Sequence, residues 1–271
     1  MILQDVFQYD GKNILHIEKW KKIDSNIQVG FTSRNGGVSQ KPFQSNNFGL
    51  HVNDQMLDVI SNRQRLATML NIPLESWVAG EQVHQTTIHT VKLGDAGKGS
   101  TSIESSLKGT DGLITQEEGM LCTAFFADCV PLFFFDPVKR YIGIAHAGWK
   151  GSVGKIAEKM TTKFMELGTD VKDLLVTIGP CISTEFYEVD EYVKERVPNE
   201  YQELVLIPVG NQHYLLDLKQ LNVEILVQAG VFRSNIDVTN FCTYRDEDLF
   251  FSHRRDHGKT GRMLGFIGFS G

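Results

Sequence analysis

The sequence predicts a layered domain that mixes strands and helices, of the α+β or mixed α/β class. Long apolar runs in the centre of the chain lack the alternation of a half-exposed strand, which is typical of strands covered on both faces. Around these runs, apolar residues recur at helical spacing. Because no repeat, low-complexity tract or Pro/Ser-rich linker marks a boundary, we expect a single domain over residues 1–271.

The predicted elements begin with a strand at 29–32, followed by a Gly-rich polar stretch, Ser33–Gly49, that predicts a long loop. Apolar residues at helical spacing predict a helix over about 54–70. Strands are expected at 76–79 and at 82–92, the latter rich in Val, Thr and Ile. The remaining elements are a helix at 152–167, a strand at 174–178, a helix from Asp217 to Gly230, and strands at about 237–241 and 264–269.

The central apolar runs, Met120–Phe135 and Tyr141–Ala147, are joined by a turn-type sequence and predict a β-hairpin. If the chain reverses about Pro137-Val138, Cys129 lies directly opposite His146. Such partners have Cβ atoms about 4.5–5.5 Å apart, close enough to share a metal ion. A slip of one residue in the pairing would place the two side chains on opposite faces. The alternative to a metal site is that Cys129 and His146 are both ordinary buried residues of the core.

His84 is the third candidate metal ligand, on the predicted strand 82–92. Two His and one Cys suit zinc, and three protein ligands leave a fourth position for water or substrate. His89 is expected on the opposite face of that strand. We expect His89, His16 and His213 to be ordinary surface or core residues, because no sequence context supports a further role for them.

The basic segment from Phe251 to Arg262 contains Arg254, Arg255 and Arg262 between polar and Gly residues. Arg supplies bidentate hydrogen bonds to phosphate, so these three residues and Arg34 are candidate phosphate ligands. A solvated turn is the alternative for each segment. The chain contains neither a Walker A loop nor a Rossmann fingerprint.

Composition excludes several classes of protein. The chain has 41% hydrophobic and 22% charged residues and a net charge of −6, which argues against non-specific nucleic-acid binding. The N-terminus resembles no signal peptide, and the longest apolar stretch is too short to span a bilayer. The four cysteines, Cys122, Cys129, Cys181 and Cys242, do not resemble a disulfide framework. We therefore expect a cytoplasmic protein that binds neither nucleic acid nor membrane; its oligomeric state stays open.

Several motifs are distributed along nearly the whole chain: Asn47–Val52, Gln82-Val83-His84, Ala127–Pro131, His146–Gly151, Ile178–Ile182, Phe186–Val189, and Arg254-Arg255 with Thr260-Gly261-Arg262. Together they resemble the YfiH/YlmD family, and most of all its YlmD branch from Gram-positive bacteria. The family was long labelled multicopper polyphenol oxidase or laccase-like and is now described as purine nucleoside phosphorylases with adenosine deaminase activity.

The resemblance implies a layered α/β/β/α sandwich and a catalytic zinc held by His84, Cys129 and His146. It also implies phosphorolysis of adenosine, inosine, guanosine and methylthioadenosine, and hydrolytic deamination of adenosine. Purine nucleosides and inorganic phosphate are then the expected ligands. Gln85 and His253 depart from the common family pattern, which often has Gly and Tyr there.

Proton transfer during deamination needs an acidic group, and Asp128 or Glu81 are candidates because they lie beside the predicted ligands in sequence. The candidate catalytic set is therefore His84, Cys129, His146 and Asp128.

Three other functions compete with this prediction. A copper-dependent polyphenol oxidase needs many His, often in His-x-His pairs, whereas this chain has eight His and no such pair. Cys129 with His146 suits a cysteine hydrolase. A non-catalytic metal-binding partner protein is the third alternative, and it predicts no turnover of any nucleoside.

Overall fold

The computed structural model describes residues 5–271, which contain fifteen strands and seven α-helices. The helices are α1 (Glu18–Lys21), α2 (Met56–Leu70), α3 (Trp149–Val153), α4 (Ile156–Glu166), α5 (Glu191–Lys194), α6 (Asn199–Val205) and α7 (Leu218–Gln228). The strands are β1 (Gln8–Tyr9), β2 (Ile14–His16), β3 (Ile27–Thr32), β4 (Trp77–Ala79), β5 (Thr87–Thr90), β6 (Thr110–Thr115), β7 (Leu121–Phe126), β8 (Val130–Asp136), β9 (Tyr141–Ala147), β10 (Leu175–Ile178), β11 (Glu188–Asp190), β12 (Leu206–Gly210), β13 (His213–Leu216), β14 (Ile236–Val238) and β15 (Met263–Phe269).

Two six-stranded sheets form the centre of the described chain. Their strand orders are β1-β2-β3-β15-β7-β4 and β14-β10-β8-β9-β6-β5, and β11-β13-β12 form a small third sheet. Cys122 and Phe126 of the first large sheet pack against Phe133 and Phe135 of the second in a buried apolar layer. The two large sheets therefore stack face to face.

Helices cover the outer face of each large sheet. On the first sheet, Phe125 and Phe266 pack with Leu66 of α2. On the second sheet, Phe134 packs with Met160 of α4, in the same buried cluster as α7. This order of layers confirms the predicted mixed α/β sandwich of the α/β/β/α type.

The central apolar run 120–135 is not one strand. β7 and β8 belong to different large sheets, and the chain crosses between them at residues 127–129. Asp128 has a φ of 85° at this crossing, a left-handed conformation that breaks a strand. The predicted helix 152–167 is likewise divided, because Lys155 adopts a left-handed conformation between α3 and α4.

The predicted hairpin register is wrong by two residues. β8 pairs with β9 so that Pro131, rather than Cys129, lies opposite His146. The turn is longer than predicted because the Asp136 carboxylate accepts hydrogen bonds from the N–H groups of Val138 and Lys139, at 2.8 and 3.0 Å. Since side chains alternate with a period of two, a shift of two residues preserves the face.

The predicted strand at 82–92 is also shorter than expected, since only residues 87–90 form β5. His84 therefore lies in a turn before the strand, with a φ of 60°. Over residues 5–271, we find no helix that combines the length and the apolar character needed to cross a bilayer.

Candidate metal centre

Three side chains from separate parts of the chain converge in the second large sheet, where β8 begins and β9 ends. The ligand atoms of His84, Cys129 and His146 all lie within 4.8 Å of one another. His84 comes from the turn before β5, Cys129 from the crossing between the sheets, and His146 from β9. His84 is exposed, Cys129 half-buried and His146 buried. The structure thus brings together the three predicted metal ligands.

Gly148 has no side chain, and this leaves room for His84 and Cys129 to approach each other. A Cβ atom at this position would lie 2.8 Å from Cδ2 of His84 and 3.1 Å from Sγ of Cys129. Sγ of Cys129 lies 3.8 Å from Nε2 of His84. The glycine that follows β9 is therefore part of the site, although it offers no ligand.

The thiol and the imidazole of the site shift each other's pKa. Burial alone would raise the pKa of Cys129, but the positive charge and hydrogen bond of His146, together with His84, lower it to about 6. Burial would lower the pKa of His146, whereas the Cys129 thiolate and the Asp111 carboxylate raise it. The thiolate, which is the form that ligates metals, is therefore favoured near neutral pH.

Asp111, at the start of β6, supports two of the three ligands. Its carboxylate lies 2.9 Å from Nδ1 of His146 and accepts hydrogen bonds from the N–H groups of Val83, His84 and Gln85. These bonds explain why residues 83–85 do not extend β5, because their N–H groups are not free for a sheet. Asp111 is not among the site residues predicted from the sequence, where its signal is a lone charge at the start of an apolar segment.

Asp128 anchors the neighbouring loops. Its two oxygens accept hydrogen bonds from Oγ1 of Thr243 and from the backbone N–H of Arg254, both at 2.7 Å. The side chain of Asp128 lines a cavity that His84, Cys129 and His146, here called the metal group, also line. Glu81 lines this cavity too, and its carboxylate accepts the N–H of Gly109 at 2.9 Å, which lowers its pKa.

The metal group opens into a cavity of about 540 Å³, a volume typical of small-molecule sites. Besides the metal group and the two acidic residues, its walls include His51, Phe125, Trp149, Lys150, Tyr187 and His253. Burial and the nearby charges of Arg262 and Arg63 lower the pKa of His51 to about 4. The cavity therefore combines aromatic walls with a histidine that is neutral at physiological pH.

The four candidate phosphate ligands do not lie together. Arg254 and Arg262 line the cavity, and their guanidinium groups bond to backbone carbonyls rather than to carboxylates. Arg255 lies outside it, with hydrogen bonds to the carbonyls of Thr243, Tyr244 and Phe250. Arg34 is also outside, bonded to the carbonyls of residues 44 and 247.

A family model described as multi-copper polyphenol oxidoreductase laccase matches residues 28–270. Over 268 residues the chain is 44% identical to a protein of Bacillus subtilis (strain 168) named purine nucleoside phosphorylase YlmD, covering 97% of this chain and 96% of that one. The chain belongs to the YfiH/YlmD family. The resemblance predicted from the motifs is thus confirmed.

Solved structures of the YfiH/YlmD family share the fold. The crystal structure of YlmD from Geobacillus stearothermophilus matches with a TM-score of 0.95 at 41% identity, covering 99% of this chain and 100% of that one. A hypothetical protein YfiH from Bacillus licheniformis matches with a TM-score of 0.94 at 40% identity, covering 98% and 100%. The family description mentions several copper ions. Residues 5–271 contain one group of three or more His, Cys, Asp or Glu side chains that could hold a metal ion, namely His84, Cys129 and His146.

Proposed function

We propose that this YfiH/YlmD family member is a zinc-dependent purine nucleoside phosphorylase that also deaminates adenosine. The main support for the proposal is that the candidate metal ligands line the same cavity as Arg254 and Arg262. The names of the YlmD relatives give the reaction class. The proposed substrates are adenosine, inosine, guanosine and S-methyl-5′-thioadenosine.

Zinc is the proposed metal because two imidazoles and one thiolate form a typical zinc donor set. Bound there, zinc would supply Lewis acidity and would lower the pKa of a bound water. Copper is the second candidate, on the strength of the family description. Elemental analysis of protein expressed without added copper separates the two, since about one zinc per chain supports our proposal.

In phosphorolysis, a phosphate oxygen forms a bond to C1′ of the ribose while the bond from C1′ to N9 breaks. The purine leaves with the bonding electron pair and takes up a proton. We assign the binding of phosphate to Arg254 and Arg262, whose guanidinium groups have no carboxylate partner among residues 5–271. The faces of Trp149, Phe125 and Tyr187 offer apolar walls for the purine.

For deamination we propose Asp128 as the proton-transfer group. Each of its oxygens accepts one hydrogen bond and keeps a further lone pair for a substrate proton. Glu81 is the weaker candidate, because its carboxylate is already paired with the ammonium group of Lys108. An Asp128→Asn variant that keeps its deaminase pH profile would contradict this assignment.

Incubation of the purified protein with adenosine, with and without phosphate, tests the proposed function. We expect adenine and ribose 1-phosphate to form only with phosphate, and inosine to form in both samples. Absence of all three products would point to the non-catalytic metal-binding alternative.

The low pKa of Cys129 beside His146 also suits a cysteine hydrolase. Thiol alkylation of the zinc-loaded protein separates the two functions. A hydrolase would lose its activity on alkylation and keep it on chelation, whereas we expect chelation to abolish activity. The cytoplasm stays the proposed location.

A further inference from the structure

Asp111 is a buried carboxylate, 3% exposed, that contacts two metal ligands without being one itself. Oδ1 lies 2.9 Å from Nδ1 of His146 and accepts the N–H of His84 at 3.1 Å. Oδ2 accepts the N–H groups of Val83 and Gln85, at 3.2 and 2.9 Å. Four donors therefore converge on the two oxygens of one side chain.

These contacts determine how each ligand presents its donor atom. Because Nδ1 of His146 is bonded to the Asp111 carboxylate, Nε2 is the ring nitrogen left to face a metal. On the other side, three bonds hold the turn in which His84 has a φ of 60°. A non-glycine residue adopts such a conformation only when its surroundings impose it.

We propose that Asp111 is a positioning residue that presets His84 and His146 before the metal arrives and thereby determines the metal affinity. This inference rests on the metal site of the proposed function and does not depend on which reaction the site performs. Contacts of this kind beyond the ligands typically change metal affinity by about 10- to 100-fold.

An asparagine cannot replace Asp111, although its size is the same. Its amide has one oxygen with two lone pairs, so at most two of the four donors find an acceptor. Its NH2 group then faces either the N–H groups of Val83 and Gln85 or those of His84 and His146. We expect either arrangement to displace at least one ligand.

Asp136 provides a matched control. It is fully buried at the far end of β8, and its carboxylate likewise holds a turn by accepting the N–H groups of Val138 and Lys139. Asp136→Asn therefore also replaces a buried, turn-holding carboxylate by an amide, but away from the metal group. Loss of stability alone should affect both variants, whereas loss of ligand positioning should affect only Asp111→Asn.

The test measures zinc affinity by competition with a chromophoric chelator for the wild type and for the Asp111→Asn and Asp136→Asn variants. A Co²⁺ absorption spectrum adds a readout of the Cys129 thiolate bond. We expect Asp111→Asn to weaken zinc binding about 10- to 100-fold and to alter the Co²⁺ spectrum. Asp136→Asn should stay within about twofold of the wild type, even if both variants unfold at a lower temperature.

If Asp111→Asn does not fold, Asp111→Glu keeps the charge and the acceptors but displaces them by one methylene, and it should weaken zinc binding by a smaller factor. Equal zinc affinity in Asp111→Asn and the wild type overturns the inference, as does a wild type that binds no zinc. A wild type that binds zinc but turns over no nucleoside would contradict the proposed function alone.

Discussion

At the scale of single residues, Gly148 determines whether His84 and Cys129 can approach each other. Its φ of −66° suits alanine, so Gly148→Ala acts through the added Cβ, which would lie 2.8 Å from His84. We expect this variant to bind zinc at least about tenfold more weakly, by the scale of lost ligand positioning. Chelator competition measures the effect.

Gly151→Ala is the control for this prediction. Its Cβ would lie no closer than 3.4 Å to its neighbours, which is ordinary contact, and the position is inside α3. It should bind zinc like the wild type. Unchanged affinity in Gly148→Ala would show that the ligands do not need this close approach.

Cys129→Ser should remove the metal while leaving the protein folded. A serine hydroxyl is a poor zinc ligand, and the three apolar cores do not depend on the metal group. We expect a thermal midpoint only a few degrees lower, the scale of about 1 kcal/mol in a chain of this size. Metal analysis and thermal unfolding together check it.

Cys122→Ser is the internal control. Cys122 is fully buried in the layer between the two large sheets, where burial raises the pKa of its thiol to about 12. It belongs to β7, in the other sheet from His146, so its replacement should leave the metal content unchanged. Loss of zinc in Cys122→Ser and not in Cys129→Ser would refute the ligand assignment.

The three candidate metal ligands were predictable from the sequence, but Asp111, which bonds to two of them, was not. Cys129 stands out because the charge of Asp128 beside it interrupts an apolar segment, and His146 because its segment ends in a Gly-containing bend. Asp111 interrupts an apolar segment too, yet its role depends on bonds to residues more than twenty positions away. Similarly, Arg255 differs from Arg254 in which groups surround it, which no local pattern shows.

At the scale of elements, the loop between Phe251 and Arg262 places two neighbouring arginines in different surroundings: Arg254 lines the cavity and Arg255 does not. Arg254→Ala should raise the KM for phosphate about 10- to 100-fold, the value of a charge-assisted hydrogen bond of about 1.5–3 kcal/mol. Deamination does not consume phosphate, so it should change far less. Steady-state kinetics of both reactions check this prediction.

Arg255→Ala is the comparison variant. It leaves the carbonyls of Thr243, Tyr244 and Phe250 without their donor, which costs about 1–3 kcal/mol of stability for each buried acceptor. A lower thermal midpoint and an equal loss of both activities are expected. A selective rise in the KM for phosphate in Arg255→Ala would reverse the two assignments.

The side chain of His89 contacts the Asp95 carboxylate in the turn after β5. The lowered pKa of Asp95 makes the free energy of unfolding depend on pH. Burial alone would raise the pKa of Asp95, but hydrogen bonds from Lys98, the N–H of Lys92 and His89 hold it well below its usual value. The stabilisation is therefore present above the ordinary aspartate pKa of about 4 and is lost as pH falls further.

Asp95→Asn should accordingly lower the unfolding temperature at pH 7, and its difference from the wild type should narrow as the pH falls below about 4. Unfolding scans between pH 7 and pH 3 check this, and a constant difference would contradict the low pKa. Nε2 of His89 lies 2.9 Å from the Asp95 carboxylate, so this side chain supports the turn.

The hairpin shows why element types were easier to predict than their alignment. Apolar runs identify β8 and β9, but the register depends on the Asp136 side chain, which lengthens the turn by binding two N–H groups. The error of two residues kept the correct face. For residues 82–85 the error was one of type, since Asp111 takes the N–H groups that a strand would use.

At the scale of the whole molecule, the metal group lies at the end of the buried layer between the two large sheets. Cys129 packs against that layer, and the ring of His146 lies 5.6 Å from the ring of Phe126 in the other sheet. Three buried clusters, two under the helices and one between the sheets, hold the sandwich together. The layer order was predicted through the family motifs, because apolar patterns alone do not show which sheet a strand joins. The prediction of a single domain over residues 1–271 stays a prediction.

We propose that the group of His84, Cys129 and His146 is required for the phosphorolysis of purine nucleosides. The most direct measurement follows the release of hypoxanthine from inosine against phosphate concentration, for the wild type and Cys129→Ser side by side. We predict that the wild type releases hypoxanthine and ribose 1-phosphate in equal amounts, with a rate that saturates with phosphate, and that Cys129→Ser releases none. Equal release by both proteins, or release by the wild type that ignores phosphate, would contradict the claim.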